Sequence, residues 1–306
     1  MSYQVEFSYS PINELINSFF TYTCKTTLRR SDREKAWSKE VGERLDQDFA
    51  FKLKEDEFVP KMSKLGFIHF LVQACPNQQE VSAFLSWLEG LSGGDIYEIL
   101  TPYMKQFPYD LNLVRDKFVY YLQGWNEYYF QHVDQGILER LQGEFENRQH
   151  QLQEVSDLPF FIEEVTNGLY FESVENLKKV ILTPQFHASP SNWLYTYDEV
   201  AICHYAFAAQ YEHDSEEPPG ILKEGAKALS DINRLKILRL LRNEAKSFIE
   251  VVRHLDIAKS TAYEHTVILR AAGLVRSHVV GDTAVAYSLR REGFSRLKDE
   301  ITEWIK

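Results

Sequence analysis

Between Ser247 and Leu289 the chain carries a run of local signals that leaves little freedom of fold. Ser247 and Glu250 have the S-x-x-E spacing of a capping box, in which each side chain satisfies a backbone donor near the other, and they start a short helix in SFIEVVRHLDI (247–257). Asp256 falls in a turn. KSTAYEHTVILRAAG then predicts a longer helix, 259–272, closed by Gly273, because glycine adopts the left-handed conformation that ends helices without steric cost. LVRSHVV and TAVAYSL flank Gly281-Asp282, a pair suited to a tight β-hairpin. Upstream, a helix from Leu222 to Leu229 precedes SDINRLKILRLLRN (230–243), where Ser230 or Asp231 caps a helix with Leu235, Leu238 and Leu241 on its buried side. A last helix, 291–305, carries Phe294, Leu297, Ile301, Trp304 and Ile305 as an apolar stripe. Short helix, tight turn, longer helix and hairpin, in that order, predict a winged helix-turn-helix over residues 221–306.

The net charge of −11 averages two unlike parts. Residues 221–306 hold 16 Lys and Arg against 11 Asp and Glu, whereas the preceding 220 residues hold 18 against 34. The aromatic residues divide at the same place, 37 of the 42 lying before residue 221. Between the parts, EHDSEEPPG (212–220) is acidic and ends in Pro-Pro-Gly, which reads as a linker. The expected organisation is an acidic, aromatic-rich domain (1–211), a linker (212–220) and a basic module (221–306). A length of 306 residues suits two domains, and 44% apolar with 26% charged residues excludes a disordered or fibrous chain. Cys24, Cys75 and Cys203 are too scattered for a disulfide framework or a CxxC zinc site. The opening MSYQVEF lacks the basic and apolar regions of a secretory leader, and the longest uncharged apolar stretch, 66–75, falls well short of the roughly 20 residues that span a bilayer. A cytoplasmic protein without a membrane partner is expected.

The N-terminal part reads as mainly helical α+β. VEFSYS (5–10) alternates like a strand until Pro11. Phe118, Tyr121, Leu122, Trp125, Tyr129 and Val133 form one helical face, and Leu138, Leu141, Phe145, Leu152 and Val155 another. Helices are predicted at 81–91 and at 95–105, the latter capped by Asp95, with another at 160–169. KKVILT (178–183) and EVAICHYAF (199–207) read as strands that pair with each other and with the opening strand. His69, His132, His150, His187, His204 and His213 never take a metalloenzyme spacing, and no Gly-rich loop follows a strand, so no catalytic residue is assigned. His204 and Tyr205 read as polar residues of a strand, and Glu163-Glu164 as a solvated helix turn. The aromatics around Trp125 are either simple core or the wall of a ligand pocket.

ALSDINRLKILRLL, KSTAYEHTVILRAAGLVRS and AVAYSL resemble, in order and spacing, the ArsR-type bacterial winged-helix repressors over about residues 222–290. The N-terminal part resembles the helical extension found in a subset of these regulators. The resemblance implies a homodimeric transcription regulator of a bacterial cell, a repressor whose affinity for operator DNA is changed by an effector. On the family motif Ser260, Thr261 and His265 are retained. Where metal-sensing members place Cys-x-Cys this chain has Ser247 and Ile249, and the last helix offers Asp299 and Glu300 without a histidine, so no metal site is expected. Ala258 replaces the usual Ser cap, and the wing tip carries Asp282, which phosphate repels.

A recognition helix presents its N-terminal turns to base edges in the major groove, with short polar and basic side chains on phosphate. Lys259, Ser260, Thr261, Tyr263 and Glu264 occupy those turns, with Glu264 either accepting from cytosine N4 or standing in solvent. His265 either contacts phosphate or packs inside, and Arg270 and Arg276 are expected as backbone clamps. Ala262, Ile268 and Leu269 should face the core. The stripe on the last helix is expected to serve a homodimer. With no cofactor assigned, the effector is expected to be a small organic molecule or a protein bound by residues 1–211. Two other readings remain, a protein-docking scaffold and an enzyme with a fused winged helix; the missing catalytic spacing disfavours the enzyme.

Overall fold

The computed structural model describes residues 3–31, 33–107, 110–207, 218–281 and 283–306. Among these the chain runs β1 (Gln4–Phe7), α1 (Pro11–Thr23), α2 (Lys25–Arg30), α3 (Glu34–Arg44), α4 (Gln47–Glu55), α5 (Val59–Met62), α6 (Ile68–Ala74), α7 (Val81–Gly90), α8 (Gly93–Leu100), α9 (Leu111–Tyr128), α10 (Gln135–Leu152) and α11 (Leu158–Val165). It continues through β2 (Leu169–Phe171), β3 (Lys179–Gln185), β4 (Trp193–Tyr197), β5 (Val200–Ala206), α12 (Gly220–Leu229), α13 (Ile232–Leu240), α14 (Phe248–Leu255), α15 (Lys259–Ala271), β6 (Val275–Val280), β7 (Thr283–Leu289) and α16 (Arg291–Trp304). The fold is mixed α+β and mainly helical, with the winged helix-turn-helix at the C-terminal end. No described helix is long and apolar enough to cross a membrane.

The chain forms two compact units, and their boundary differs from the one expected at residue 211. Residues 3–153 and 176–207 make the N-terminal unit, while 154–175 fold with the C-terminal residues. Residues 212–217 of the expected linker lie outside the described residues, and Gly220 already begins α12.

In the N-terminal unit a four-stranded sheet has the order β1-β3-β5-β4. β1, β3 and β5 run parallel, and β4 closes the edge antiparallel to β5. β3 and β5 are buried along nearly their whole length, as internal parallel strands covered on both faces must be. The first strand stops at Phe7 rather than 10, because Ser10 turns to cap α1, its Oγ accepting from the Ile12 N–H at 3.1 Å. Similarly Ser92, not Asp95, caps α8: Asp95 sits three residues in and returns a bond to the Ser92 N–H, so the helix begins at Gly93. The aromatic face around Trp125 is core. Phe118, Tyr121, Leu122, Trp125 and Tyr129 are buried with Phe19 and Phe20, and Trp125 donates to Ser18 Oγ at 3.0 Å. On α10 only Leu141 of the second apolar face is fully buried.

Buried polar groups in this unit are used as joints. Glu14 accepts from the His187 N–H at 2.9 Å and also holds His187 Nδ1. His187 Nε2 bonds the Tyr129 hydroxyl at 2.7 Å, and Trp37 donates to that hydroxyl at 2.8 Å. His69 and His204 are buried with ring centroids 4.0 Å apart. Burial lowers the pKa of both, with His204 adding to the effect on His69, and His204 falls from 6.5 to about 3.

The C-terminal unit is built around Glu163. The pair Glu163-Glu164 reads in sequence as a solvated turn, yet Glu163 is 0% exposed. Its Oε1 accepts from Arg290 Nε at 2.5 Å and its Oε2 from Arg276 Nη2 at 2.7 Å. α11 ends at Val165, short of the expected 169, because Asn167 and Gly168 take positive φ (54° and 115°) and turn the chain into β2. β2 pairs in parallel with β6, which itself pairs antiparallel with β7, so the wing becomes a three-stranded sheet.

Two expected outcomes follow from these burials. Glu163→Gln leaves Arg290 buried without its counter-charge, and a chemical-denaturation series should show a loss of about 3–5 kcal/mol in the C-terminal unit. In the N-terminal unit, His69 and His204 stay neutral when folded but take up protons below about pH 6.5 when unfolded. Stability is therefore full above that pH and falls below it, by up to about 1.4 kcal/mol per pH unit for each histidine. Unfolding at about pH 7 and about pH 5 should show this loss, and His204→Phe should remove part of the slope.

Candidate nucleic-acid interface

The helix-turn-helix is assembled from α14 and α15. The predicted capping box forms: Glu250 N–H donates to Ser247 Oγ at 3.3 Å, and Ser247 N–H to Glu250 Oε2 at 2.8 Å. The bonds from Ser247, helped by Lys246, hold the Glu250 carboxyl below its ordinary pKa. Asp256 closes α14 with φ 51°, and Ile257 and Ala258 complete the turn to α15. Lys246 and Tyr287 exchange backbone bonds of 2.8 Å, tying the start of the motif to the wing. Gly273, at φ 69°, ends the longer helix as expected.

The inner face of α15 buries Ala262, His265, Thr266 and Leu269, with Ile268 partly buried beside them. Leu269 joins Ile237, Leu241, Val251, Leu274, Val275 and Tyr287 in one core. On α13 the register differs from expectation: Asp231 is the cap, Leu238 and Leu241 are buried, but Leu235 is 43% exposed. Arg234 takes the inner position, donating to the Ala228 and Lys227 carbonyls at 2.8 and 2.7 Å and so closing α12. Desolvation raises the Asp231 pKa, but backbone N–H groups of Arg234 and Asn233, with His265 and Arg234, bring it below normal.

Lys259, Ser260, Thr261, Tyr263 and Glu264 are all exposed on the first two turns of α15. The Tyr263 ring stands edge-on to Phe248 at 6.4 Å. Ala258 supplies no side-chain cap, and the helix begins at Lys259 without loss of its first turn. The first N–H groups thus have no side chain across them, and with the positive end of the helix dipole they suit an anionic oxygen.

The other three expected contacts lie elsewhere. His265 is buried, its Nδ1 3.5 Å from Arg234 Nη1 and 3.9 Å from Asp231 Oδ1, so it packs within the motif rather than reaching phosphate. Arg270 is half-buried in the last turn. Arg276, expected as a backbone clamp, is held by Glu163, and the Tyr170 ring lies 5.5 Å from its guanidinium carbon. Asp282 lies outside the described residues, beside Gly281 at φ 63°.

The residues that sequence reasoning missed are in 154–175. Asn167 Nδ2 donates to the Ala271 carbonyl at 3.0 Å, at the end of the recognition helix, and its Oδ1 accepts from Arg290 at 2.9 Å. The available signal was Asn167-Gly168 between FFIEEV and LYFE, a helix stop followed by a short alternating strand. Among the described residues no three or more His, Cys, Asp or Glu side chains group as metal ligands. Ser247, at a position where metal sensors carry cysteine, is occupied as the cap of α14.

Comparison with known proteins agrees with this geometry. No curated protein and no solved structure matches the chain. Residues 231–277, from the cap of α13 into β6, match the family described as bacterial regulatory protein, arsR family, and the chain therefore carries an arsR-family helix-turn-helix, the DNA-binding domain of a transcription regulator, at its C-terminal end.

Proposed function

We propose that the protein is a sequence-specific transcription regulator without catalytic activity, a repressor that binds its operator as a homodimer and whose DNA affinity is set through the N-terminal unit. The observation that carries this reading is the exposed cluster Lys259, Ser260, Thr261, Tyr263 and Glu264 on an uncapped helix N-terminus, an arrangement suited to entry of α15 into a major groove. Lys259 and Ser260 suit phosphate; Thr261, Tyr263 and Glu264 suit base edges.

Dimerisation is supported by α16. Leu297 turns into the unit's own core, but Ile301, Trp304 and Ile305 are 46%, 39% and 74% exposed. A two-fold axis would cover this apolar end and place two recognition helices about one DNA turn apart. Control by the N-terminal unit is supported by connectivity. Residues 154–175 hold both the end of the recognition helix and the wing, and at each end the chain continues directly into the N-terminal unit. An effector acts only if it binds two arrangements with different affinity, and this segment is the shortest covalent route for that difference.

A mobility-shift assay with the DNA upstream of the protein's own gene tests the reading. Lys259→Ala should weaken binding at every sequence and lower the salt slope by about one, as loss of one phosphate contact does. Thr261→Ala or Tyr263→Ala should instead alter the ranking of operator variants. In light scattering, Ile301→Glu with Trp304→Glu should convert a dimer to a monomer and weaken operator binding.

A further inference from the structure

The last turn of α15 is closed from outside the helix-turn-helix. A helix leaves its final four carbonyls without intrahelical donors. Here the turn that follows supplies three: Ala272 N–H reaches Ile268 at 3.1 Å, Leu274 N–H reaches Leu269 at 3.0 Å, and Gly273 N–H reaches Arg270 at 2.8 Å. The fourth carbonyl, that of Ala271, accepts from Asn167 Nδ2 at 3.0 Å, a side chain 104 positions earlier.

The Asn167 carboxamide is fixed from several directions. Its φ of 54° lies in the left-handed region, which asparagine adopts more readily than most residues. Asn167 N–H donates to the Glu164 carbonyl at 3.2 Å and Gly168 N–H to that of Glu163 at 2.8 Å, which holds the backbone beneath it. Oδ1 accepts from Arg290 Nη1 at 2.9 Å, so a flip of the amide would set its NH₂ against a guanidinium. Gly273 leaves the room, since a Cβ there would run into Asn167 Oδ1. The place calls for one group that donates to a carbonyl on one side and accepts from a cation on the other. A carboxamide does both, a carboxylate only accepts, and an alkyl group does neither.

α15 has 13 residues and is about 20 Å long, with its DNA-facing side chains on the first two turns and Asn167 at the last. The ends of a stiff rod move together, so a shift at Ala271 redirects Thr261, Tyr263 and Glu264. Contacts to base edges need positions held to about 0.5 Å, whereas the flexible Lys259 stem follows a phosphate through larger shifts. We propose that Asn167 is a positioning residue for operator recognition: its carboxamide sets the axis of α15 and hence the discrimination between operator and other DNA, without touching either. The proposal rests on the reading of α15 as a recognition helix.

Two variants of the full-length protein separate the carboxamide from the backbone that carries it. Asn167→Asp keeps the size and the acceptor for Arg290 but turns a lone pair on the Ala271 carbonyl. Asn167→Gly keeps the positive φ at no steric cost and removes the carboxamide whole. Mobility-shift titrations at several salt concentrations compare the DNA upstream of the protein's own gene with a scrambled duplex of the same length. Both variants should lose about tenfold on the upstream DNA, one hydrogen bond's worth, and keep the wild-type affinity and salt slope on the scrambled duplex. Hydrogen exchange should quicken at the amides of 272–274 and leave those of α13 and α14 unchanged. Equal losses on the two duplexes make Asn167 merely structural and overturn the proposal, as does a ratio of affinities that matches wild type. A wild-type protein with no preference for the upstream DNA overturns the reading of α15 and the proposal with it, whereas a preference that both variants keep overturns the proposal alone.

Discussion

A carboxylate deprived of water is tolerated only where cations and donors replace the solvent, and in the C-terminal unit that carboxylate is Glu163. Its two oxygens divide between Arg276 on β6 and Arg290 at the start of α16. Three stretches of sequence must come together for the charge to be balanced, and much of the unit's organisation follows. α11 is held against the wing, β2 reaches β6, and Asn167 arrives at the last turn of the recognition helix. An apolar trio of similar volume would fill the same space, but with less power to select one arrangement, since only one brings both arginines to both oxygens. That selection lets a segment distant in sequence act as part of the DNA-binding unit.

The two faces of α15 show how a narrow helix serves stability and recognition together. Its inner residues are small or aliphatic, apart from His265 and Thr266, and they lock the helix to α13 and α14. Its outer residues Lys259, Ser260, Thr261, Tyr263 and Glu264 stand exposed, with the Tyr263 ring edge-on to Phe248. The distinction follows from 3.6-residue periodicity and needs no further device. His265 belongs to the inner set because Arg234 and Asp231 give its ring a polar setting there.

How far the sequence could be read depended on whether its signals were local. The capping box at Ser247, the Gly273 helix stop, the Gly281 turn and the strands 179–185 and 200–206 depend on neighbouring residues, and each was legible. The exposed half of the candidate interface was legible for the same reason. Glu163, Arg276 and Arg290 were not, because a glutamate in an EE pair and two scattered arginines look like surface residues until the fold joins them across more than a hundred positions. The grouping of 154–175 with the C-terminal residues is hidden for that reason: charge and aromatic content mark where composition changes, whereas β2 pairs with β6 on backbone bonds that composition does not record. The His69–His204 pair was hidden likewise, its members lying on α6 and β5.

The parallel pairing of β2 with β6 has a consequence for synthesis. Leu169 pairs with Ser277, so β2 leaves the ribosome about a hundred residues before its partner, an interval of roughly 5–20 s at ordinary elongation rates. The N-terminal unit, complete by residue 207, can fold within that interval, with 154–175 as a long excursion between two of its own elements. Through that time β2 is an unpaired edge and Glu163 keeps its water. The emerging wing then pairs with a strand whose two ends are joined by the chain to a domain already made.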